Sequence, residues 1–355
     1  MLCKKFNLLI LSLIAFFVFS CTVDPIIDTS GTKPFIKIIE PDEVHPFDLV
    51  TIYGENLGEI SDSAYILLDS LYSIPSKYCL KWNNSLIQFY APKNLFKSLI
   101  RVVSSADTSN ALTFNYFPYP KIDFVRVESG TFFMGSNKGL GYEQPVHEVV
   151  LTKSFYISKY EITQKQWNAL FDFNESPFIG ENLPVSNVTW FQAILFCNKL
   201  SRLMGYDTCY IIIDTNLVVW DTLANGFRLP TEAEWEYACR AGSRDGFAGN
   251  GNPLDMGWFD VNSGMKPHPV GEKLPNDWGI YDMHGNVWEW CWDWFDPFYY
   301  DKSPTINPRG PSTGKVHVVR GGCWQRGTTF GRCSSRQFPE DQYLNFGFRI
   351  VRNAN

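Results

Sequence analysis

The sequence lacks three features that would assign it to a common functional class. It contains no Cys-x-x-C pair, which disfavours a zinc knuckle or a thioredoxin-like redox site. Its lysines and arginines are scattered and give no basic stripe, and the net charge is −6, so nucleic acid is not expected as a partner. Its one long apolar run, residues 8–19, is shorter than the ~20 residues of a membrane-spanning helix.

The same apolar run has the surroundings of a lipoprotein signal peptide. Lys4 and Lys5 precede it, the small residue Ser20 follows it, and Cys21 comes directly after the expected cleavage point. A cysteine in that place accepts lipid in bacterial export, although the residues before it match the motif imperfectly. The alternative is a signal peptide that is cut elsewhere, with Cys21 incidental. The sequence therefore predicts a leader at 1–20 and a bacterial cell-envelope protein, lipid-anchored to a membrane through Cys21 and periplasmic or surface-exposed.

Cysteine usage is consistent with an exported chain. Nine cysteines are present, of which Cys3 and Cys21 belong to the leader region and Cys79 stands alone in the first part of the rest. An oxidising compartment favours disulfides. Up to three could form among the remaining six, Cys197, Cys209, Cys239, Cys291, Cys323 and Cys333. Sequence alone leaves every pairing of these six open.

Length and aromatic content bound the architecture. After removal of the leader, the chain is longer than one hydrophobic core usually holds, so two domains are expected. Aromatic residues make up 16% of the chain, with 12 tryptophans, and most lie after Asp123. Such composition suits a compact, loop-rich domain and equally suits a carbohydrate-binding surface, so it leaves both open.

A polar, turn-rich tether at 21–33 leads into a β-rich module at 34–118. Short apolar runs broken by turn residues predict an all-β sandwich with strands at 35–39, 49–53, 64–68, 86–90, 99–103 and 111–116. The run from Val50 to Gly58, with its Gly-x-Asn-x-Gly turn, resembles the IPT/TIG immunoglobulin-like domain. That resemblance implies a spacer or a binding platform. We expect Cys79 to be a buried free thiol.

Five motifs follow Pro118-Tyr119-Pro120 in a fixed order. They are Gly130-Thr-Phe-Phe-Met-Gly-Ser136, Arg228-Leu-Pro-Thr-Glu-Ala-Glu-Trp-Glu-Tyr-Ala238, Gly279-Ile-Tyr-Asp-Met-His-Gly-Asn-Val-Trp-Glu-Trp290, Arg320-Gly-Gly322 and Gly347-Phe-Arg349. In order and spacing they resemble the formylglycine-generating enzyme, or sulfatase-modifying factor, family across 122–353. The resemblance implies an α+β, C-type-lectin-like fold with many long loops, small antiparallel sheets and two helices.

Two parts of these motifs are expected to be structural. Thr231 and Glu234 form a capping box, so a helix should begin there. We expect Trp235 to lie in the core and Arg228 to bond a carboxylate or carbonyl oxygen. Four tryptophans alternate along one predicted strand and share a face, Trp288, Trp290, Trp292 and Trp294. Core packing is expected for them, and a sugar-stacking platform is the alternative.

The segment around His284 is predicted to hold calcium. Asp282 and Glu289 supply hard anionic oxygens, and a turn at Gly285 can aim backbone carbonyls inward, which together suit Ca²⁺. The resemblance implies a structural ion bound by these two side chains and by the carbonyls of Gly285 and Val287. The alternative is an unmetallated, hydrogen-bonded turn. We expect His284 itself to be a turn residue rather than a ligand.

The chain departs from the family at the residues that would bind the catalytic metal. The enzyme it resembles converts a sulfatase cysteine to formylglycine with O₂ and Cu(I), and two cysteines shortly after the Arg-Gly-Gly motif hold the copper. Soft thiolates are the ligands that Cu(I) prefers. Here the corresponding loop is shorter, the first copper cysteine falls near Gln325 or Arg326, and the second has no counterpart. The alternative is a displaced copper pair made of Cys323 and Cys333.

The resemblance also bears on the disulfides. Cys333 matches an enzyme cysteine that is bonded to the counterpart of Cys239, and Cys323 replaces the serine of an Arg-Gly-Gly-Ser motif. The other four cysteines could then form two more bonds. For these two bonds we predict the pairs Cys197 with Cys209 and Cys291 with Cys323.

Two functions of different classes follow from the sequence. The first is a non-catalytic, lectin-like module on a calcium-stabilised scaffold, which binds an envelope protein or glycan or takes part in envelope assembly. The second is a copper-dependent oxidase that converts a sulfatase-type cysteine to formylglycine at a rearranged site. The shortened loop favours the first function.

Overall fold

The computed structural model describes residues 33–354 except 70, 71, 94, 96–98, 105, 106, 216 and 340–343. The leader, Cys21 and nearly all of the tether lie outside the described residues, so the expectations for them stay predictions. Among the described residues, no helix is both long and apolar enough to cross a membrane.

The first module contains ten short strands and, in its described residues, no α-helix. The strands are β1 (Phe35–Glu40), β2 (Glu43–Val44), β3 (Leu49–Glu55), β4 (Tyr65–Leu68), β5 (Tyr72–Pro75), β6 (Lys81–Asn83), β7 (Leu86–Tyr90), β8 (Leu99–Val103), β9 (Leu112–Thr113) and β10 (Asn115–Tyr116). They form two four-stranded sheets with the orders β1-β3-β7-β6 and β5-β4-β8-β9, and β2 pairs with β10 in parallel. All six strands expected from the sequence are present, the last of them split into β9 and β10.

Alternating burial explains how these strands enclose a core. Val50, Ile52 and Ile87 point inward from the first sheet, and Ile66 and Ile100 point inward from the second. Successive side chains of a strand face opposite sides, so each sheet has one apolar face to cover. Both faces contribute to a single core. The immunoglobulin-like assignment of this module stays a prediction.

The second module mixes four α-helices with small sheets in its described residues, where two helices were expected. The helices are α1 (Gln164–Leu170), α2 (Trp190–Leu203), α3 (Glu232–Arg240) and α4 (Pro253–Met256). The strands are β11 (Phe124–Val127), β12 (Gly130–Met134), β13 (His147–Leu151), β14 (Phe155–Ser158), β15 (Tyr210–Asp214), β16 (Leu217–Trp220), β17 (Trp288–Trp294), β18 (His317–Arg320), β19 (Arg336–Gln337), β20 (Phe346–Gly347) and β21 (Val351–Asn353). The sheets have the orders β11-β14-β21, β12-β13, β15-β16 and β19-β18-β17-β20.

Threonine caps start the three longer helices. The Oγ1 of Thr231 accepts a hydrogen bond from the Glu234 backbone N–H at 3.1 Å, which confirms the predicted capping box. Thr163 and Thr189 cap α1 and α2 in the same way. A side-chain oxygen at this position satisfies one of the backbone N–H groups that have no partner within the helix. Local sequence therefore fixes where each of these helices begins.

Strand β17 runs between two cores of the second module. Trp288 and Trp290 are almost fully buried in the first core, which α2 and β20 also line. Core packing is thus confirmed for these two side chains. Trp292 and Trp294 are only partly buried, and they stack against Tyr210 and His317, respectively. The second core lies on the other side of β17 and includes α3.

Helix α3 is fixed by arginines that come from distant parts of the chain. Arg228 donates two hydrogen bonds to the Glu234 carboxylate at 2.6 and 2.7 Å, as the sequence predicted for a carboxylate partner. Arg336 binds Glu232 in the same bidentate way at 2.8 and 2.7 Å. A bidentate pair of this kind fixes the relative orientation of the two side chains and also balances their charges. These two pairs connect Arg228, which precedes the helix, and Arg336 of strand β19 to the first turn of α3.

Glu236 forms the third and most buried of these pairs. Its carboxylate accepts hydrogen bonds from Arg240 at 2.9 and 2.7 Å and a further one from Arg320. Arg320 has no exposed surface, and it also donates to the carbonyl oxygens of Cys333 at 2.9 Å and Ser335 at 2.5 Å. The arginine of the Arg-Gly-Gly motif therefore joins α3 to the loop that follows the motif.

We predict that Glu236→Gln lowers the free energy of unfolding by about 3–5 kcal/mol, because it leaves the buried Arg240 without its counter-charge and leaves Arg320 only Glu232, which Arg336 also binds. The measurement is urea denaturation followed by tryptophan fluorescence, since every tryptophan except Trp82 lies in the second module. The control is Glu128→Gln, whose carboxylate is exposed beside Arg126 and whose loss should cost less than about 1 kcal/mol. Equal effects of the two substitutions would contradict the prediction.

Candidate functional site

The loop before β17 turns sharply and has three residues with left-handed backbone conformations. Asp282, Gly285 and Asn286 have φ angles of 57°, 90° and 57°. A Cβ added at Gly285 would lie 2.3 Å from the backbone oxygen of Trp258, so only glycine fits there. This turn buries the predicted calcium ligands beneath β17.

Asp282 offers a buried oxygen without a partner. Asp282 Oδ2 accepts a hydrogen bond from the backbone N–H of Gly271 at 2.7 Å, whereas the buried Oδ1 has none. Burial raises the pKa of Asp282 to about 7. An unpaired buried oxygen of this kind indicates a missing partner such as a cation.

The carboxylate of Glu289 already accepts several hydrogen bonds within the protein, which the sequence did not indicate. Its two oxygens accept hydrogen bonds from the Arg349 guanidinium at 2.6 Å each, and Trp235 Nε1 donates to one of them at 2.6 Å. Glu289 is therefore neutralised by an arginine, which sequence analysis did not predict. Oε2 accepts two of these bonds, whereas Oε1 accepts one and keeps a second lone pair to which a cation could still bind.

Glu161 is a buried acid of this site that sequence analysis missed. Its oxygens accept hydrogen bonds from the Val287 backbone N–H at 3.0 Å and from Asn286 Nδ2 at 2.7 Å. Burial raises the pKa of Glu161 well above its usual range, and the nearby carboxylates of Asp282 and Glu289 raise it further. The only signal in the sequence was an acidic residue between apolar neighbours just before α1.

These groups together fit a bound cation. Three buried carboxylates, on Glu161, Asp282 and Glu289, lie near one guanidinium, that of Arg349. The excess of negative charge and the unpaired oxygen would both be relieved by a calcium ion. Of the predicted ligands, Asp282 retains an unpaired oxygen, and Glu289 would have to share its carboxylate with Arg349.

The loop that corresponds to the copper site carries other chemistry. Gln325 and Arg326 line a cleft of ≈ 610 Å³ together with Trp288 and Asn345. Gln325 Oε1 accepts a hydrogen bond from Asn345 Nδ2 at 2.7 Å, and the Arg326 guanidinium lies 5.6 Å from the ring centre of Phe330. An amide and a guanidinium thus occupy the positions where the resemblance places the first copper cysteine. Neither is a ligand for Cu(I).

The displaced copper pair is not assembled. Cys323 is buried in the first core, whereas Cys333 is buried in the second core. Burial raises the pKa of Cys323 to about 12, so this thiol is protonated at neutral pH. The structure thus gives no support to the alternative copper pair of Cys323 and Cys333, which stays a prediction.

Cys333 instead lies beside Cys239 and His284. One ligand atom from each of these three residues lies within 4.8 Å of the other two. His284 Nδ1 is 2.7 Å from the carbonyl oxygen of Gly331, and Nε2 accepts the backbone N–H of Ala248 at 3.2 Å. Burial also lowers the pKa of His284 to about 4, so the ring is neutral and its one lone pair is used. This arrangement suits a bond between the two thiols better than a metal ion.

The cysteines of the predicted disulfides are free thiols in the structure, and the predicted pairs differ in whether their members share a core. The structure shows all seven described cysteines as free thiols, so none of the three predicted bonds is present in it. Cys197 and Cys209 are buried in the same core, where burial, and then the nearby Cys209, raises the pKa of Cys197. Cys291 and Cys323 belong to different cores, so the structure does not favour that pairing, which stays a prediction. Cys79 is only partly buried, not fully buried as expected.

Comparison with known proteins agrees with the fold and the motif order. The family described as the sulfatase-modifying factor enzyme 1-like domain matches residues 115–354. The chain is 37% identical over 271 residues to the chaperone protein LppX of Paenibacillus barcinonensis, covering 65% of this chain and 89% of that protein. It is 40% identical over 150 residues to the formylglycine-generating enzyme of Streptomyces coelicolor, covering 37% of this chain and 48% of the enzyme. The match therefore spans about half the length of that enzyme.

A solved structure supports the same assignment. Treponema denticola variable protein 1 superposes with a TM-score of 0.61 at 31% sequence identity, covering 65% of this chain and 95% of that protein. The match over residues 115–354, the five motifs and the α+β architecture lead to one conclusion. The chain belongs to the sulfatase-modifying factor enzyme 1-like family.

Proposed function

We propose that the protein is an envelope-anchored, non-catalytic member of this family that binds other polypeptides and assists their folding or assembly. The observation that carries the proposal is the composition of the copper loop. Gln325 and Arg326 stand where the family resemblance places the first copper cysteine, and Cys323 is a buried, protonated thiol. A guanidinium beside the metal position would also repel Cu(I).

The similarity to LppX supports the polypeptide-binding part of the proposal. That relative is described as a chaperone protein, and 89% of its length is matched at 37% identity. A fold with a rigid scaffold and long loops can change its function through its surfaces alone. A glycan partner, the other class expected from the sequence, is an outcome that the binding experiment below would reveal.

The location of the protein is part of the proposal. Lipid on Cys21 would hold the two modules at a membrane of the cell envelope, with the β-rich module as a spacer beneath the second module. Labelling with radioactive palmitate tests the anchor. The label should be present in the wild type and absent from Cys21→Ser, and equal labelling would refute the lipoprotein assignment.

Calcium has a structural role in this proposal. Asp282 and Glu289 would bind the ion through their side chains, Gly285 and Val287 through their carbonyls, and Glu161 would add negative charge behind Asn286 and Val287. The ion would supply positive charge that keeps the turn before β17 closed. No catalytic step depends on it.

We predict that the exported full-length chain with Cys21→Ser, purified without detergent, suppresses the aggregation of chemically reduced insulin at equimolar concentration. Light scattering is the measurement, and serum albumin at the same concentration is the control. Exposed apolar segments of the client should bind the protein before they bind each other. Scattering equal to that with albumin would contradict the proposal, and binding of an envelope polysaccharide instead would replace it with a glycan-binding function.

We predict that excess chelator lowers the melting temperature of the second module, because it leaves buried carboxylates without their cation. A ligand present at 100 times its dissociation constant contributes ~2.7 kcal/mol, which corresponds to roughly 5–10 °C for a domain of this size. Calorimetry with added calcium should restore the wild type and the exposed control Glu128→Ala, but not Asp282→Ala. An unchanged melting temperature in protein shown to be metal-free would refute the calcium site.

A further inference from the structure

The hairpin of β15 and β16 exposes an aliphatic face to solvent. Four side chains form it, and their exposed fractions are 56% for Ile211, 63% for Ile213, 48% for Leu217 and 45% for Val219. Ile211 lies directly opposite Val219 in the antiparallel register. Adjacent exposed aliphatic residues on one surface mark interaction sites far more often than single ones do.

The opposite face of the same hairpin is also apolar and is already covered. Tyr210, Ile212, Val218 and Trp220 pack on the first core, close to α2. An antiparallel hairpin with one face on a core normally alternates apolar and polar residues, so that the outer face meets water favourably. This hairpin breaks that alternation on its outer face. We call the four residues Ile211, Ile213, Leu217 and Val219 the outer hairpin face.

The hairpin also has free edges. In the part of the chain that the structure describes, β15 and β16 pair only with each other. The backbone of Tyr210 in β15 already bonds the side chain of Asn198, so another extended strand could bind the edge of β16 or the part of β15 beyond Tyr210. Edge pairing combined with apolar side-chain contacts is a known mode of peptide recognition. The outer hairpin face provides both elements in one place.

Size and charge select among the possible occupants. The two strands contain five and four residues, whereas a stable interface between two copies uses roughly 20–30 residues on each side. A single extended segment therefore matches the surface better than a second copy does. The charged residues of segment 207–223 are all acidic, namely Asp207, Asp214 and Asp221. An anionic lipid surface would be repelled by them.

We propose that the outer hairpin face captures extended, apolar segments of non-native polypeptides. This rests on the proposed chaperone function and names its binding surface. The captured segment would lie along a free edge of β15 or β16, bonded through its backbone, with alternate aliphatic side chains on the outer hairpin face. Recognition through backbone and aliphatic contacts reads no particular sequence, which is what a chaperone for several clients requires.

The test replaces the outer hairpin face and leaves the strands intact. The variant carries Ile211→Thr, Ile213→Thr, Leu217→Thr and Val219→Thr, because threonine keeps strand propensity while removing aliphatic surface. The control variant carries four threonines at exposed aliphatic residues elsewhere, Ile38, Ile60, Ile179 and Val261. Both variants are made in the full-length Cys21→Ser chain, and equal melting temperatures establish that both fold.

Two readouts are compared for these proteins. One is the affinity for a fluorescent extended peptide rich in valine and isoleucine, and the other is suppression of reduced-insulin aggregation. We expect the hairpin variant to lose roughly tenfold or more in peptide affinity and to lose suppression, while the control variant behaves like the wild type. A hairpin variant that binds and suppresses like the wild type overturns this inference and leaves the proposed function standing.

The remaining outcomes are also decisive. If the wild type suppresses no aggregation, the proposed function is contradicted, and this inference is contradicted with it. A wild-type dimer that becomes monomeric in the hairpin variant, in the absence of peptide, would assign the outer hairpin face to a second copy. Hairpin-dependent binding to phosphatidylcholine vesicles would assign it to a membrane surface.

Discussion

Buried pairing of arginines with glutamates is the interaction on which the second module depends. Its strands are short and its loops are long, so backbone ladders alone connect few distant parts of the chain. The glutamates of α3 bind arginines from before the helix, from β18 and from β19. Arg320 has no exposed surface and also donates hydrogen bonds to the carbonyl oxygens of Cys333 and Ser335 in the following loop. Because desolvated charges are costly without partners, such pairs favour one arrangement of the loops over all others.

The same constraint shapes the candidate site. Arg349 binds Glu289 and also donates to the carbonyl oxygens of Ser158 at 3.1 Å and Tyr281 at 3.0 Å, so it holds the turn from three sides. Glu161 and Asp282 then remain as buried acids without such an arginine, which is the electrostatic reason to expect a cation there. The middle of the copper loop, at Gln325 and Arg326, lies outside this network, whereas the end of the loop is bonded to Arg320. It can therefore change its residues while the scaffold persists, which is how one fold serves several functions.

The sequence predicted local features well and long-range ones poorly, for physical reasons. Thr231 and Glu234 are three residues apart, so the capping box was visible directly. Glu161 and Asn286 are far apart in sequence, and only the fold brings their side chains within 2.7 Å. Cys291 and Cys323 face different cores, and no local pattern in the sequence reports which core a cysteine faces.

The central claim is that this chain keeps the scaffold of its family and works by binding rather than by copper oxidation. The most direct test incubates the copper-loaded protein with O₂ and a Cys-x-Pro-x-Arg peptide, beside a formylglycine-generating enzyme as positive control, and measures the peptide by mass spectrometry. The account predicts no formylglycine and no stoichiometric copper, because Gln325 and Arg326 stand where the family resemblance places the first copper cysteine. Turnover that disappears in Cys323→Ser would contradict the account and make Cys323 a copper ligand.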